Sequence, residues 1–179
     1  MLIKRALFLL LIIMLISITQ SSLLATAGIN KAIFGINNTP LPAEQIEGVY
    51  LEIDKNKNTL FVYLNGYIVY RFKVATGKDP ALTPTGTFKI ITKVKNPWYL
   101  PKNIPGGDKN NPLGTRWLGL NVPGTGGYTY GIHGTNNPAS IGHHISQGCI
   151  RMYNKDVEWL YRHIPLNTTV IIKQTVSTD

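Results

Sequence analysis

The sequence contains a single cysteine, Cys149, in the segment 146–151, which reads Ser-Gln-Gly-Cys-Ile-Arg. A cysteine attacks a carbonyl carbon as its thiolate, and an unperturbed thiol with a pKa of about 8.5 is only a few per cent ionised at neutral pH. A catalytic cysteine therefore needs a base or a cation beside it. His133, His143 and His144 precede Cys149 in the sequence and are the candidate bases.

Gly148 precedes Cys149 and lets the backbone bend closely beside the sulfur, because glycine adopts conformations that other residues avoid. The amide groups around Cys149 can then form an oxyanion hole, in which each donor contributes about 3 kcal/mol to acyl transfer. The pattern therefore favours acyl transfer through a thioester. A buried, inert cysteine is the alternative on composition alone, since one cysteine excludes a disulfide within the chain and a free cysteine packs as a small apolar residue.

The segment from His133 to Arg151 resembles the signature of the L,D-transpeptidase (YkuD) family, in which a His-Gly pair is followed, some sixteen residues later, by Ser-x-Gly-Cys-x-Arg. The similarity continues in the N-terminal half through residues 75–77 (Ala-Thr-Gly) and 83–88 (Thr-Pro-Thr-Gly-Thr-Phe). It covers roughly residues 48 to 173. Each motif alone is weak, but their combination is specific.

The resemblance implies a mainly β catalytic domain, built as a β-sandwich or barrel with one short helix after the cysteine loop. It also implies the reaction. The thiolate of Cys149 attacks the diaminopimelate carbonyl of a peptidoglycan tetrapeptide stem and expels the terminal D-Ala, and an amine acceptor then resolves the thioester. Peptidoglycan stem peptides are therefore the expected partners, and no cofactor is expected.

The family pattern also implies roles for individual residues. Cys149 is the nucleophile, His133 is the general base, and the backbone carbonyl of Gly134 orients the imidazole. Three more motif positions are expected to hold the cysteine loop and the substrate: Ser146, Gly148 and Arg151. For Arg151 a buried structural role stays open. Gln147 departs from the pattern, because many members have a second histidine there, and this leaves open any contribution from a second imidazole.

His143 and His144 match no role in the family pattern. We expect both to be exposed loop residues, because two consecutive side chains usually point in different directions. A zinc site would have to combine His133, one of this pair and Cys149, but that spacing matches no established zinc motif. A thiolate held by a metal would also no longer be a free nucleophile, so we expect no metal.

A strand-rich domain must position these residues. Alternating or β-branched runs predict strands at 49–54, 59–64, 67–75, 87–94, 115–122, 128–133 and 168–173. The pair Asn65-Gly66 predicts a tight hairpin between the second and third strands. One helix is predicted after the cysteine, with Asn154 as its N-cap and an apolar face that continues to Pro165: Val157, Leu160, Tyr161 and Ile164.

The segment 95–114 is rich in Pro, Gly and Asn and contains two aromatic residues, Trp98 and Tyr99. Loops of this length are uncommon inside compact domains unless they are functional. We expect a lid that binds substrate through Trp98 and Tyr99. The alternative is a plain crossing loop that carries these two side chains into the core.

The N-terminus has the features of an export segment. Lys4 and Arg5 precede an apolar run over residues 6–18, and small residues at 25–27 offer a cleavage-like site. Residues 1–27 are therefore expected to be a signal peptide or an N-terminal membrane anchor.

The remaining chain divides into a linker, residues 28–47, and the catalytic domain, residues 48–179. The chain beyond residue 27 keeps a net charge of +7. A basic exported surface favours acidic cell-wall polymers, with a generically soluble surface as the alternative. Nucleic acid is not expected as a partner, because no recognised nucleic-acid module is present.

We expect a monomer in the cell wall, in the periplasm or on the outer face of the cytoplasmic membrane, with membrane contact only through the N-terminal segment. Other functions stay open. Water as the acceptor would make the protein an L,D-carboxypeptidase. A sortase-type transferase would use Cys149 and Arg151, but that alternative gives no role to His133. A catalytically silent wall-binding module would use none of these three residues for catalysis.

Overall fold

The computed structural model describes residues 47–175. The expected export segment, the linker up to residue 46 and residues 176–179 lie outside the described residues. Ten strands and one α-helix are present in the described part: β1 Val49–Asp54, β2 Thr59–Leu64, β3 Tyr67–Lys73, β4 Thr76–Gly77, β5 Gly86–Lys95, β6 Arg116–Leu120, β7 Gly131–His133, β8 His144–Ser146, β9 Ile150–Arg151, α1 Asn154–His163 and β10 Thr169–Lys173.

Eight strands form one sheet in the order β3-β2-β1-β10-β5-β6-β7-β9, and β4 pairs with β8 in a separate two-stranded sheet. The hairpins β1-β2-β3 are antiparallel, as the Asn65-Gly66 turn predicts, whereas β1 with β10 and β7 with β9 are parallel. Helix α1 packs against β6 and β7, and its Trp159 ring also contacts Tyr70 of the distant strand β3 at 4.2 Å between centroids. The sheet is therefore curled around one core, which confirms the mainly β fold with one helix.

The core is built from the alternating residues that predict the strands. Leu51 and Ile53 of β1 and Leu60 of β2 are completely buried. Helix α1 adds its predicted apolar face, of which Val157 and Leu160 are fully buried and Tyr161 is half-buried. Each large aliphatic side chain buried in this way contributes about 1.5 to 3 kcal/mol to folding.

The predicted strand 128–133 is shorter in the structure, where only 131–133 is extended as β7. Residues 121–130 form a loop instead, because Gly124, Gly126 and Gly127 have φ values of 76°, 58° and 81°, which a strand does not accommodate. The loop lies directly on Gly119 of β6: a Cβ atom there would be 1.8 Å from the carbonyl oxygen of Gly127.

The prediction that Asn154 is the N-cap of the helix is wrong. Tyr153 occupies the N-cap position, and Asn154 is the first helical residue. Its Oδ1 accepts hydrogen bonds from the backbone N–H groups of Thr115 (3.3 Å) and Thr135 (3.1 Å) instead of from its own helix. The side chain thus joins α1 to the residues beside β6 and β7, and it approaches so closely that a Cβ on Gly134 would be 2.1 Å from Oδ1.

Strands β4, β8 and β9 have two or three residues each and were not predicted. They pair with sequence-distant partners: β4 with β8, and β9 with β7. Strands β8 and β9 flank the segment that contains the cysteine. Within the described part of the chain, no helix has both the length and the apolar character needed to cross a membrane.

Candidate active site

The loop that carries Cys149 connects β8 to β9 and is held by Ser146. The buried Ser146 hydroxyl donates to the carbonyl oxygen of Cys149 (2.7 Å) and accepts from the N–H of Gly148 (3.0 Å). Gly148 has φ +128°, and a Cβ there would lie 2.6 Å from the carbonyl oxygen of Leu82. Both contacts make the loop rigid, and only glycine fits directly before the cysteine.

His133 lies on β7, beside the strand that follows the cysteine. The parallel pairing of β7 with β9 sets His133 opposite Arg151. Residues paired in this register share a face, so His133 and Arg151 project from the same side of the sheet. Cys149 directly precedes β9, and Arg151 affects the pKa of both His133 and Cys149. The pairing therefore brings an imidazole and a cation beside the cysteine loop.

The orientation of the His133 ring is fixed on two sides. Its Nδ1 is 2.6 Å from the carbonyl oxygen of Gly134. A carbonyl can only accept, so Nδ1 carries the hydrogen and Nε2 of the neutral ring carries a lone pair. The ring also stacks on Trp117, with 5.6 Å between centroids and 20° between planes. The Trp117 indole N–H donates in turn to the carbonyl of Gly127 (2.9 Å).

Burial keeps the histidine neutral. It lowers the pKa of His133 to about 4, and the nearby positive charge of Arg151 acts in the same direction, against the carbonyls of Gly134 and Leu113. An imidazole with this pKa is almost wholly unprotonated at neutral pH. His133 can therefore accept a proton through Nε2.

Burial also keeps the cysteine protonated. It raises the pKa of the Cys149 thiol, and the backbone amide of Gly131 and the charge of Arg151 oppose that effect only in part. The thiol donates a hydrogen bond to the carbonyl of Thr129 (3.3 Å). The resting site thus contains a thiol and a neutral imidazole, and not a thiolate–imidazolium pair.

This protonation state predicts how Cys149 reacts with a simple alkylating agent. We expect iodoacetamide to modify Cys149 slowly at pH 7 and the rate to be still rising at pH 9, because alkylation requires the thiolate and burial raises the thiol pKa. Intact-mass measurements over a pH series give the profile. Arg151→Gln should move it to higher pH, whereas a wild-type rate that is constant from pH 6 to 9 would contradict the thiol resting state.

A groove of about 440 Å³ opens onto the cysteine. Its walls come from the end of β5, the segment 97–101, Leu113, Trp117 and the 121–130 loop, and none of its lining residues is charged: Val94, Pro97, Trp98, Tyr99, Leu100, Pro101, Leu113, Trp117, Tyr128, Thr129 and Cys149. Trp98 is 52% exposed. The groove is therefore an apolar, open surface beside the sulfur.

The wall that contains Trp98 has a fixed internal structure. Asn111 is buried and donates its amide hydrogens to the carbonyls of Pro97 (2.8 Å) and Pro105 (3.1 Å). Its Oδ1 accepts from the N–H of Leu113 (2.9 Å). The long loop predicted at 95–114 is thus organised around one asparagine, and it carries Trp98 and Tyr99 to the groove.

Comparison with known proteins identifies the family. The family model of the L,D-transpeptidase catalytic domain, YkuD, matches residues 48–172. The chain belongs to the L,D-transpeptidase family.

Two relatives named as L,D-transpeptidases come from Bacillus subtilis. YqjB is 44% identical over 140 residues, which cover 78% of this chain and 77% of YqjB. YkuD is 41% identical over 125 residues, which cover 70% of this chain and 66% of YkuD. Among solved structures, L,D-transpeptidase 3 from Mycobacterium tuberculosis in complex with a faropenem-derived adduct superposes with a TM-score of 0.56. It is 17% identical, and the match covers 71% of this chain and 60% of that one, so the likeness concerns the fold.

The structure brings the L,D-transpeptidase motif residues together in one place. His133 and Arg151 are paired across β7 and β9, Cys149 directly precedes β9, and Gly134 contacts the imidazole through its carbonyl. Within the cysteine loop, the Ser146 hydroxyl bonds to the carbonyl of Cys149 and to the N–H of Gly148. Arg151 is half-buried, and no described residue pairs with its guanidinium. Trp98 and Tyr99 line the groove, and the half-exposed Trp98 is not a core residue.

The two other histidines of the motif region lie away from the groove lining. Both are exposed, as predicted, but His144 begins β8 and is not a loop residue. Its Nδ1 is 2.9 Å from the hydroxyl of Thr76 and its Nε2 is 3.2 Å from the side-chain amide of Asn58. His144 therefore joins the small β4-β8 sheet to the turn after β1.

Two residues of the candidate site were not found from the sequence. The hydrogen bond from Cys149 uses the backbone carbonyl of Thr129, which every residue type offers, so no sequence signal exists for it. Trp117 had a signal, because an aromatic residue two positions before a glycine in an apolar strand indicates close packing. Within residues 47–175, no three His, Cys, Asp or Glu side chains cluster so that they could hold a metal ion.

Proposed function

We propose that this chain is a cysteine transpeptidase that acts on peptidoglycan tetrapeptide stems through a thioester on Cys149. One observation carries the proposal. Cys149 lines the same groove as Trp117, on which the neutral His133 ring stacks, and the strand that carries His133 pairs with the strand that follows the cysteine. The hydrogen bond from Nδ1 to Gly134 leaves Nε2 of His133 as the proton acceptor.

In the first half-reaction the sulfur attacks the carbonyl carbon of diaminopimelate, and the thiol proton moves to Nε2 of His133. A carbon–sulfur bond forms and the carbonyl oxygen becomes an oxyanion. When the bond between this carbon and the D-Ala nitrogen breaks, His133 returns the proton to the leaving amine. The products are free D-Ala and a thioester of the shortened stem with Cys149.

In the second half-reaction an acceptor amine attacks the thioester. His133 takes a proton from the amine as the new amide bond forms, and it passes that proton to the sulfur when the carbon–sulfur bond breaks, which regenerates the thiol. Water competes with the amine in this step. The uncharged groove residues Trp98, Tyr99 and Leu113 would cover the thioester and limit the access of water, which favours the transpeptidase over the carboxypeptidase outcome.

Arg151 is proposed to bind a carboxylate of the stem. Its charge affects the pKa of both Cys149 and His133, so the guanidinium lies near the reacting atoms. Among the described residues no carboxylate neutralises it, and the tetrapeptide substrate carries carboxylates of its own. An arginine fork suits a carboxylate better than a lysine would.

The test follows the mass of the protein during turnover. The full chain is incubated with a synthetic tetrapeptide stem, and the expected adduct equals the stem minus D-Ala on Cys149. An added diamino acceptor should then remove the adduct and give a cross-linked product. Hydrolysed tripeptide as the sole product would make the enzyme a carboxypeptidase. Binding of the stem without an adduct on Cys149 would indicate a non-catalytic wall-binding module, and it would overturn the proposal.

We also propose that the protein acts outside the cytoplasm, at the cell wall. The export features of residues 1–27 and the net charge of +7 on the chain beyond them support this location. Cell fractionation with an antibody against the catalytic domain tests it. Recovery from the cytoplasmic fraction would contradict it.

The side chains of the groove wall are expected to affect whether water or an amine resolves the thioester. Replacing both Trp98 and Tyr99 with Ala should raise the ratio of hydrolysed to cross-linked product several-fold while lowering the melting temperature by only a few degrees. Trp98 is half-exposed and contributes little to the core, yet both side chains line the groove that opens onto the sulfur. Product ratios and melting curves of the same preparations give both quantities. Leu166→Ala, at an exposed residue remote from the groove lining, is the control. A large loss of stability with an unchanged product ratio would contradict the shielding role.

A further inference from the structure

The backbone amides of the cysteine loop are not equally available. The N–H of Gly148 is donated to the hydroxyl of Ser146 (3.0 Å). The N–H of Cys149, by contrast, has no acceptor among residues 47–175. In acyl transfer, a free backbone N–H at the nucleophile is suited to stabilise the oxyanion. The direction of this one N–H therefore affects the reaction.

That direction is set by the carbonyl on the other side of the same peptide bond. The carbonyl oxygen of Gly148 accepts a hydrogen bond from the hydroxyl of Thr83 (2.9 Å). In a trans peptide the C=O and N–H groups point in opposite directions, so this bond turns the N–H of Cys149 away from Thr83. The Thr83 hydroxyl accepts from the N–H of Gly77 (2.9 Å), which leaves its hydrogen for Gly148.

Thr83 is itself held by a buried lysine. Lys55 lies in the turn between β1 and β2, is 5% exposed, and donates from Nζ to the carbonyls of Thr83 (2.8 Å) and Pro80 (2.6 Å). None of the described carboxylates forms an ion pair with it. A buried cation without a counter-ion is costly, so two backbone carbonyls as its partners indicate a specific structural task.

The segment held by Lys55 lies directly against the cysteine loop. The carbonyl oxygen of Leu82 would be 2.6 Å from a Cβ on Gly148, so the two backbones are in close contact. The N–H of Lys78 also donates to the carbonyl of Ser146 (2.9 Å). Residues 78–83, which we call the platform, thus support the peptide bond that precedes the nucleophile.

We propose that Thr83 and Lys55 are positioning residues that aim the N–H of Cys149 at the developing oxyanion. The proposal rests on the acyl-transfer function proposed above. Lys55 fixes the platform, the Thr83 hydroxyl fixes the carbonyl of Gly148, and the N–H of Cys149 is thereby directed. Neither side chain lines the groove. The Thr-Pro-Thr-Gly motif that begins at Thr83 thereby acquires a role in the reaction.

The test compares two reactions of the same sulfur in the full chain. A carbapenem acylates cysteine: the carbon–sulfur bond forms, the ring carbon–nitrogen bond breaks, and the ring nitrogen takes the thiol proton. This reaction passes through an oxyanion. Iodoacetamide alkylates the sulfur at a saturated carbon, expels iodide and needs no oxyanion stabilisation. Intact-mass kinetics yield both rates.

Thr83→Val removes the hydroxyl at nearly constant volume. We expect its limiting acylation rate to fall at least tenfold with little change in half-saturating carbapenem concentration, while alkylation stays within about threefold of wild type. Thr83→Ser retains the hydroxyl and should restore acylation. Lys55→Met, which leaves Thr83 in place, should show the same selective loss to a smaller extent and serves as the second variant if Thr83→Val folds poorly.

Equal losses in both reactions would mean that the platform only keeps the loop folded, and the proposal would be overturned. Unchanged acylation in Thr83→Val and Lys55→Met would overturn it as well. A wild-type protein that is alkylated but never acylated would instead contradict the proposed acyl-transfer function. The two failures are therefore distinguishable.

Discussion

Cys149→Ala should form no acyl adduct with a tetrapeptide stem or a carbapenem, and Cys149→Ser should retain at most a trace of activity. Alanine has no nucleophile. Serine has one, but the site already raises the pKa of the more acidic thiol by burial. A hydroxyl in the same surroundings is far harder to deprotonate. Intact mass after overnight incubation measures the adduct, and product chromatography measures turnover.

The folds of these variants must be intact for the result to be informative. Cys149 is only partly buried, and its thiol donates a hydrogen bond to the carbonyl of Thr129. The melting temperatures of both variants should therefore remain within a few degrees of wild type. An adduct that persists in Cys149→Ala would place the acylation on another residue, and substantial turnover by Cys149→Ser would overturn the thioester mechanism.

His133→Ala should lower the acylation rate by at least two orders of magnitude. A positioned general base typically contributes a factor of about 10² to 10⁴, and the Nδ1 contact with Gly134 fixes His133 in that role. Single-turnover acylation by a carbapenem, followed by mass, measures the loss. The pKa of His133 of about 4 adds a second expectation: wild-type acylation should not decline between pH 7 and pH 5 through loss of the base.

His143→Ala and His144→Ala are the matched controls. Both residues are exposed and neither lines the groove, so each should change acylation by only a few-fold. His144→Ala should cost some stability, because its ring bonds to Thr76 and Asn58. Damage from His144→Ala equal to that from His133→Ala would show that the assignment of a single imidazole is wrong.

The parts of the fold that were predictable are those with local causes. Strands β1 and β2 have the predicted bounds, because alternating apolar residues and the Asn65-Gly66 turn are read from adjacent positions. Strand β7 was predicted too long. The residues before it include aromatic side chains typical of strands, but the glycines of the 121–130 loop allow the chain to fold onto Gly119.

In the candidate site, too, the residues that belong to a local motif were predictable and those defined by distant contacts were not. Cys149 and His133 carry reactive side chains in a motif, so the sequence identifies them directly. The role of Asn154 could not be predicted, since its partners, the amides of Thr115 and Thr135, come near it only after the sheet has curled. The support of Gly148 by Thr83 likewise depends on a contact between residues 65 positions apart.

The protonated resting state of Cys149 also affects how the protein ages. Peroxides oxidise thiolates much faster than thiols, and the first product, a sulfenic acid, is protected from further oxidation when a second thiol or a backbone nitrogen condenses with it. The sequence has no second cysteine to do so. Because burial raises the pKa of the Cys149 thiol, we expect peroxide to oxidise Cys149 more slowly than an exposed cysteine at neutral pH.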